Sequence, residues 1–70
     1  MNGRVVTVDA HEVQAGDVVF GRQWTPVERV VFRGSDGDWV YLGRRHGGPD
    51  VPIRTVPMFG RVQVIREVLG

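Results

Sequence analysis

Apolar residues in this chain recur at every second position in short runs, broken by glycine, proline and acidic residues. This is the pattern of half-buried β-strands rather than helices. Arg4 to Asp9, RVVTVD, reads as a first strand. The following stretch, Ala10 to Asp17, holds about one turn of helix-compatible residues and reads as a loop. Gly16-Asp17 then introduces a second strand, Val18 to Phe20, and Gly21-Arg22-Gln23 turns the chain into Trp24. A third strand begins near Pro26, whose missing N–H predicts an edge strand or a bulge, and runs through Val27 to Arg33. The spacing Trp24, Val27, Val30 breaks strict alternation, and a β-bulge would restore the phase.

Asp36-Gly37 between Phe32 and Trp39 is a strong hairpin signal, and Asp38 to Leu42 forms the fourth strand. Gly43 to Asp50 has three glycines and no periodicity, so it reads as an exposed loop. Val51 to Val56 is a fifth strand, with Pro52 near its start. Pro57-Met58-Phe59-Gly60 turns it into a sixth, Arg61 to Glu67, where Val62 and Val64 lie on one face and Gln63 and Ile65 on the other. The first and last strands are natural partners for closing a sheet. The expected fold is all-β, a small barrel of five to six short antiparallel strands, whose closure would remove exposed edges.

Composition strengthens this picture. Fifteen valines stand against two leucines and two alanines, and β-branched side chains suit strands. Seventy residues make one domain, 1–70. A core of that size rarely supplies more than about 3–5 kcal/mol, and with no cysteine the chain has neither disulfides nor thiolate-ligated metal to add support. Packing or self-association must do so. The chain has no apolar run near 18 residues and no leader-like N-terminus, so neither membrane spanning nor secretion is expected and the cytoplasm is the default location.

Val13-x-x-Gly16-Asp17-Val18-Val19, Trp24-x-x-Val27-x-x-Val30 and Trp39-Val40-Tyr41-Leu42 together resemble the small SH3-like β-barrel proteins of actinobacteria and their phages. The resemblance covers residues 10–42. It implies a fold whose members bind protein or nucleic acid, and it brings no catalytic residue. The same phrasing is similar to part of self-splicing intein-type domains. Their starting cysteine or serine is absent and 70 residues are too few, which sets self-splicing aside.

The buried face of the central hairpin depends on its loop. A two- or four-residue loop puts Val30 and Phe32 with Trp39 and Tyr41, whereas a three-residue loop or an upstream bulge puts Val30 with Val40 and Leu42. The resemblance favours Trp24, Val27, Val30, Val40 and Leu42 inside, leaving Trp39 and Tyr41 outside as an apolar platform. Such a platform would stack bases or be covered by a protein.

The formal charge of +1 hides a gradient: residues 1–21 carry −2, residues 22–42 are balanced and residues 43–70 carry +3. Arg44, Arg45 and Arg54, with His46 in the same loop as the first two, are therefore candidate phosphate contacts. Catalytic chemistry is thin. The single serine, Ser35, lies in a turn away from any nucleophile-elbow pattern, and His11 with Asp9 and Glu12 lacks the second cluster a metal shell needs. No enzyme activity, cofactor or metal is expected. Two readings stay open: a non-enzymatic interaction module that binds a protein partner or itself through Trp39 and Tyr41, or a nucleic-acid-binding barrel that adds Arg44, Arg45, His46 and Arg54.

Overall fold

In the computed structural model, which describes residues 3–44 and 48–67, seven strands form two antiparallel sheets. They are β1 (Gly3–Asp9), β2 (Val18–Phe20), β3 (Trp24–Pro26), β4 (Arg29–Arg33), β5 (Asp38–Arg44), β6 (Asp50–Pro57) and β7 (Arg61–Glu67). The first sheet has the order β1-β7-β2-β3 and the second β4-β5-β6. The all-β expectation holds, while the single closed barrel gives way to two open sheets. As the alternation predicts, the terminal strands pair along their full length, from Gly3 opposite Glu67 to Asp9 opposite Arg61.

The expected third strand is two strands, because the chain changes sheets at Val27 and Glu28. The Val27 N–H donates to the Asp17 carbonyl at 2.7 Å, and its own carbonyl accepts from Gly16 N–H at 2.8 Å. These bonds pin Val27 to the Gly16-Asp17 turn, with its side chain fully buried. Glu28 N–H then donates to the Leu42 carbonyl at 2.7 Å, starting the second sheet. The broken alternation marks this crossover and not a bulge. Pro26 lies on the edge strand β3, where its missing donor costs no ladder bond.

The one bulge in these ladders lies in β6. Tyr41 opposes Arg54 and Leu42 opposes Pro52, so Ile53 is the extra residue. Its side chain packs against the core, and two glycines admit it. A Cβ on Gly43 would lie 2.5 Å from the Ile53 Cδ1, and one on Gly21 would lie 2.5 Å from the Ile53 carbonyl oxygen. The two sheets meet at this contact.

The β4–β5 hairpin has a four-residue loop, Gly34 to Gly37, between the Arg33–Asp38 pair, and Gly37 takes a left-handed φ of 67°. An even loop keeps Val30 and Phe32 on the face of Trp39 and Tyr41, and that face is the inner one. This corrects the expected assignment for Trp39 and Tyr41, which face inward, and for Trp24 and Leu42, which do not, while Val27 and Val30 are inside as expected. Tyr41 is 0% exposed and joins Val8, Ala10, Val13, Val19, Val27, Val56, Val62 and Val64 in the core, with Val30 and Trp39 packed against it. Trp24 is on the outer face of the first sheet. Val40 and Leu42 point to the outer face of the second, where Val40 is nonetheless covered.

One charged residue is buried among those described. Asp17, 4% exposed, accepts from Arg66 Nε at 2.9 Å and Nη2 at 2.8 Å, and from Gln14 N–H at 2.9 Å. Burial raises the Asp17 pKa, but the Arg66 bonds and charge together with the Gln14 N–H outweigh it and hold the carboxyl below its ordinary value. The pair ties the Gly16-Asp17 turn to β7.

Candidate docking groove

At the tip of the β4–β5 hairpin, Phe32 and Trp39 face each other in register, their rings 4.8 Å apart and tilted by 49°. Both continue the core face outward, past the last buried valines. The β6–β7 turn is held against them: Met58 N–H donates to the Gly37 carbonyl at 3.0 Å, and Gly60 N–H to the Pro57 carbonyl at 2.8 Å. Ala10 N–H in turn donates to the Gly60 carbonyl at 3.0 Å, joining the turn to the short 3-10 segment Ala10–Glu12. Three loops from distant parts of the sequence thus meet at one end of the two sheets.

Between them lies a groove of about 370 Å³, walled by Phe32, Trp39, Met58 and Phe59 with Asp9 and His11 at its rim. Phe59 is 90% exposed, and Met58 and Phe32 are also solvent-facing. The acids near the groove are matched to arginines. Asp9 accepts from Arg61 Nε at 3.3 Å, and Asp38 forms a two-point pair with Arg33 at 2.9 and 2.8 Å. Hydrogen bonding from Arg33 holds the Asp38 carboxyl below its ordinary range. Apart from His11, the rest of the lining is apolar. Among the described residues no three His, Asp or Glu side chains come together as a metal site. Ser35 is exposed on the hairpin loop. The arrangement is suited to binding an apolar group.

Of the residues singled out from sequence, Trp39 lies in this groove. Tyr41 does not form a platform with it: its hydroxyl donates to the Ala10 carbonyl at 2.8 Å inside the core. Burial, partly offset by the Arg54 charge, pushes the phenol pKa up to about 12. Arg44 ends β5 with its Nη2 3.7 Å from Glu28 Oε1, five residues beyond Trp39 and so about 17 Å away along the strand. There it shares a broad hollow of about 840 Å³ with Arg22 and Pro52. Arg54 donates to the Phe20 carbonyl at 3.3 Å. Arg45 and His46 lie outside the described residues. Arg44 is therefore well separated from Trp39, whereas Arg54, opposite Tyr41 and two residues from the partner position of Trp39, lies closer but is turned to the Phe20 carbonyl.

Met58 and Phe59 were not singled out by the sequence pattern, which marks residues 57–60 as a turn. The available signal is chemical. Tight turns favour polar, glycine or proline residues, and two large apolar side chains at the centre of Pro57-Met58-Phe59-Gly60 depart from that preference. No helix among the described residues is long and apolar enough to cross a membrane. Comparison with family models, curated proteins and solved structures gives no match to this chain.

Proposed function

We propose that this chain is a non-enzymatic interaction module that docks an extended apolar segment of a protein partner in the groove walled by Phe32, Trp39, Met58 and Phe59. The observation that carries this reading is Phe59, an aromatic side chain 90% exposed at the lip of a hydrogen-bonded groove. Water-exposed aromatic surface contributes nothing to folding, whereas aromatics dominate the energetics of protein interfaces. A groove of this volume is within the range of small binding pockets, and extended segments commonly dock on aromatic-lined surfaces. The two sheets, touching at Gly21 and Ile53, support a finer reading of the fold as an opened SH3-like barrel. The cytoplasm is the compartment proposed for it.

The test is retention of proteins from host lysate on immobilised chain, with and without nuclease, comparing wild type with Phe59→Ala. Phe59 is too exposed for its loss to unfold the domain. Wild type should retain a partner at high salt and after nuclease, and the variant should retain about tenfold less, as expected for loss of a hot-spot aromatic. Retention that vanishes with nuclease and ignores Phe59→Ala would transfer the function to nucleic acid.

A further inference from the structure

The two open sheets leave four strand edges, at β1, β3, β4 and β6. Two of them are blunted. β3 is three residues long and ends in Pro26, and β6 carries Pro52, Pro57 and the Ile53 bulge. β1 is open but meets the docking groove only at its last residue, Asp9, which is paired with Arg61. β4 is open, has neither proline nor bulge over Arg29–Arg33, and carries one wall of the groove, Phe32.

The open side of β4 has a definite hydrogen-bonding pattern. The Arg33 carbonyl accepts from Asp36 N–H at 3.2 Å and from Gly37 N–H at 2.9 Å, so Arg33 is turned into the hairpin, toward β5. By the alternation of an antiparallel pair, Arg29 and Val31 are turned the same way, and Val30 and Phe32 the other. The outward N–H and C=O groups of Val30 and Phe32 have no protein partner among the described residues. The side chains of these two residues lie on the inner face, Val30 packed against the core and Phe32 43% exposed. The edge thus offers backbone groups and apolar contacts at the same two positions.

We propose that the partner segment of the docking groove binds as an added strand on β4, extending the β4-β5-β6 sheet to four strands. This rests on the docking role of that groove and adds how the segment is held. Alternating N–H and C=O groups along an edge are matched in series by another extended backbone. The segment residue opposite Phe32 continues the cross-strand row of Trp39 and Phe32 and covers the ring side that β5 leaves bare. The residue two positions along lies on Val30. The side chains between them face outward, beside Arg29 and Val31.

Charge selects what stands there. Arg33 is held by Asp38 at 2.8 Å, whereas Arg29 has no ion-pair partner among the described residues, so it matches a carboxylate of the segment. Full-length antiparallel pairing with β4 of a second copy would instead set Arg29 across from Arg33, like charge against like. The partner that fits is a different chain, with apolar residues at alternate positions, an acid on the opposite side and no proline.

Short random peptides displayed on phage and selected against the immobilised chain supply the probe. Each selected peptide is then synthesised with its amides N-methylated one at a time, which removes a donor and leaves the protein untouched. Selected sequences should alternate apolar and polar residues around an acid. Methylation at every second amide should weaken binding about tenfold, with the intervening amides tolerant. Val30→Pro, which removes an outward N–H and no ladder bond, should have a similar effect, and Arg29→Glu should turn the selected acid into a base. Peptides that need Phe59 but tolerate methylation at every amide overturn strand addition and leave the docking groove standing. Sedimentation that shows β4 pairing two copies, lost in Val30→Pro, overturns it as well. Peptides indifferent to Phe59→Ala, or no selected peptide at all, overturn both.

Discussion

The molecule contains the same pair twice. Phe20 opposes Trp24 across β2 and β3, and Phe32 opposes Trp39 across β4 and β5, with ring separations of 5.3 and 4.8 Å and tilts of 59° and 49°. Chemistry, register and geometry are nearly alike, yet the pairs do different work. The second lies on the inner face of its sheet, where Trp39 touches the core and Phe32 becomes one wall of a groove. The first lies on the outer face, two residues along from Val18 and Pro26, with both rings part-exposed. The sheet face, set by backbone features several residues away, decides whether a cross-strand aromatic pair supports the fold or presents a surface.

That conclusion can be broken most severely at the hairpin loop. Deleting Ser35 shortens the loop from four residues to three, and a one-residue slip exchanges the faces of a strand. Trp39 and Tyr41 would turn outward and the core would lose the only large side chain among the fully buried described residues. With about 3–5 kcal/mol available to a domain of this size, the variant should be unfolded by circular dichroism and amide dispersion. A folded variant with native melting would show that loop length does not set the face.

A smaller effect is expected at the turn that separates the two sheets. Gly16 and Asp17 hold Val27 at the crossover, so Asp17→Asn weakens the feature that assigns each aromatic pair to its own sheet. Losing the charge opposite Arg66 should cost about 2–3 kcal/mol, since Asp17 is nearly fully buried while Arg66 is partly exposed. The pH dependence has a definite sign. The folded pKa lies below the ordinary 3.8, so the stabilisation is present above that value and is lost as pH falls through the folded pKa. Urea denaturation from pH 6 downward should therefore show wild type losing its advantage over Asp17→Asn in strong acid. Parallel curves at all pH values would remove Asp17 from this role.

Much of the fold was legible because it is local. β1, β2 and β7 follow from alternating β-branched residues, and Asp36-Gly37 marks a hairpin that the left-handed φ of Gly37 closes. The crossover at Val27 was visible as a broken period, but its cause is a pair of backbone bonds to residues ten and eleven positions earlier, which no local rule supplies. The face of Tyr41 depended on whether the loop was odd or even, a distinction that Gly34-Ser35-Asp36-Gly37 does not carry in its residue types. The groove was least legible. Its walls come from the hairpin, the β6–β7 turn and the segment after β1, and Phe59 stands out only once its neighbours are in place.

The most direct test of the account is the stability of Trp39→Ala against Trp24→Ala, measured by urea denaturation at micromolar concentration. The inner position should cost about 2–3 kcal/mol, because the truncation removes packing against the core. The outer one should cost about 1 kcal/mol or less, as for a surface substitution with some neighbour contact. Equal costs, or a larger loss at Trp24, would contradict the claim that the sheet face separates the two pairs.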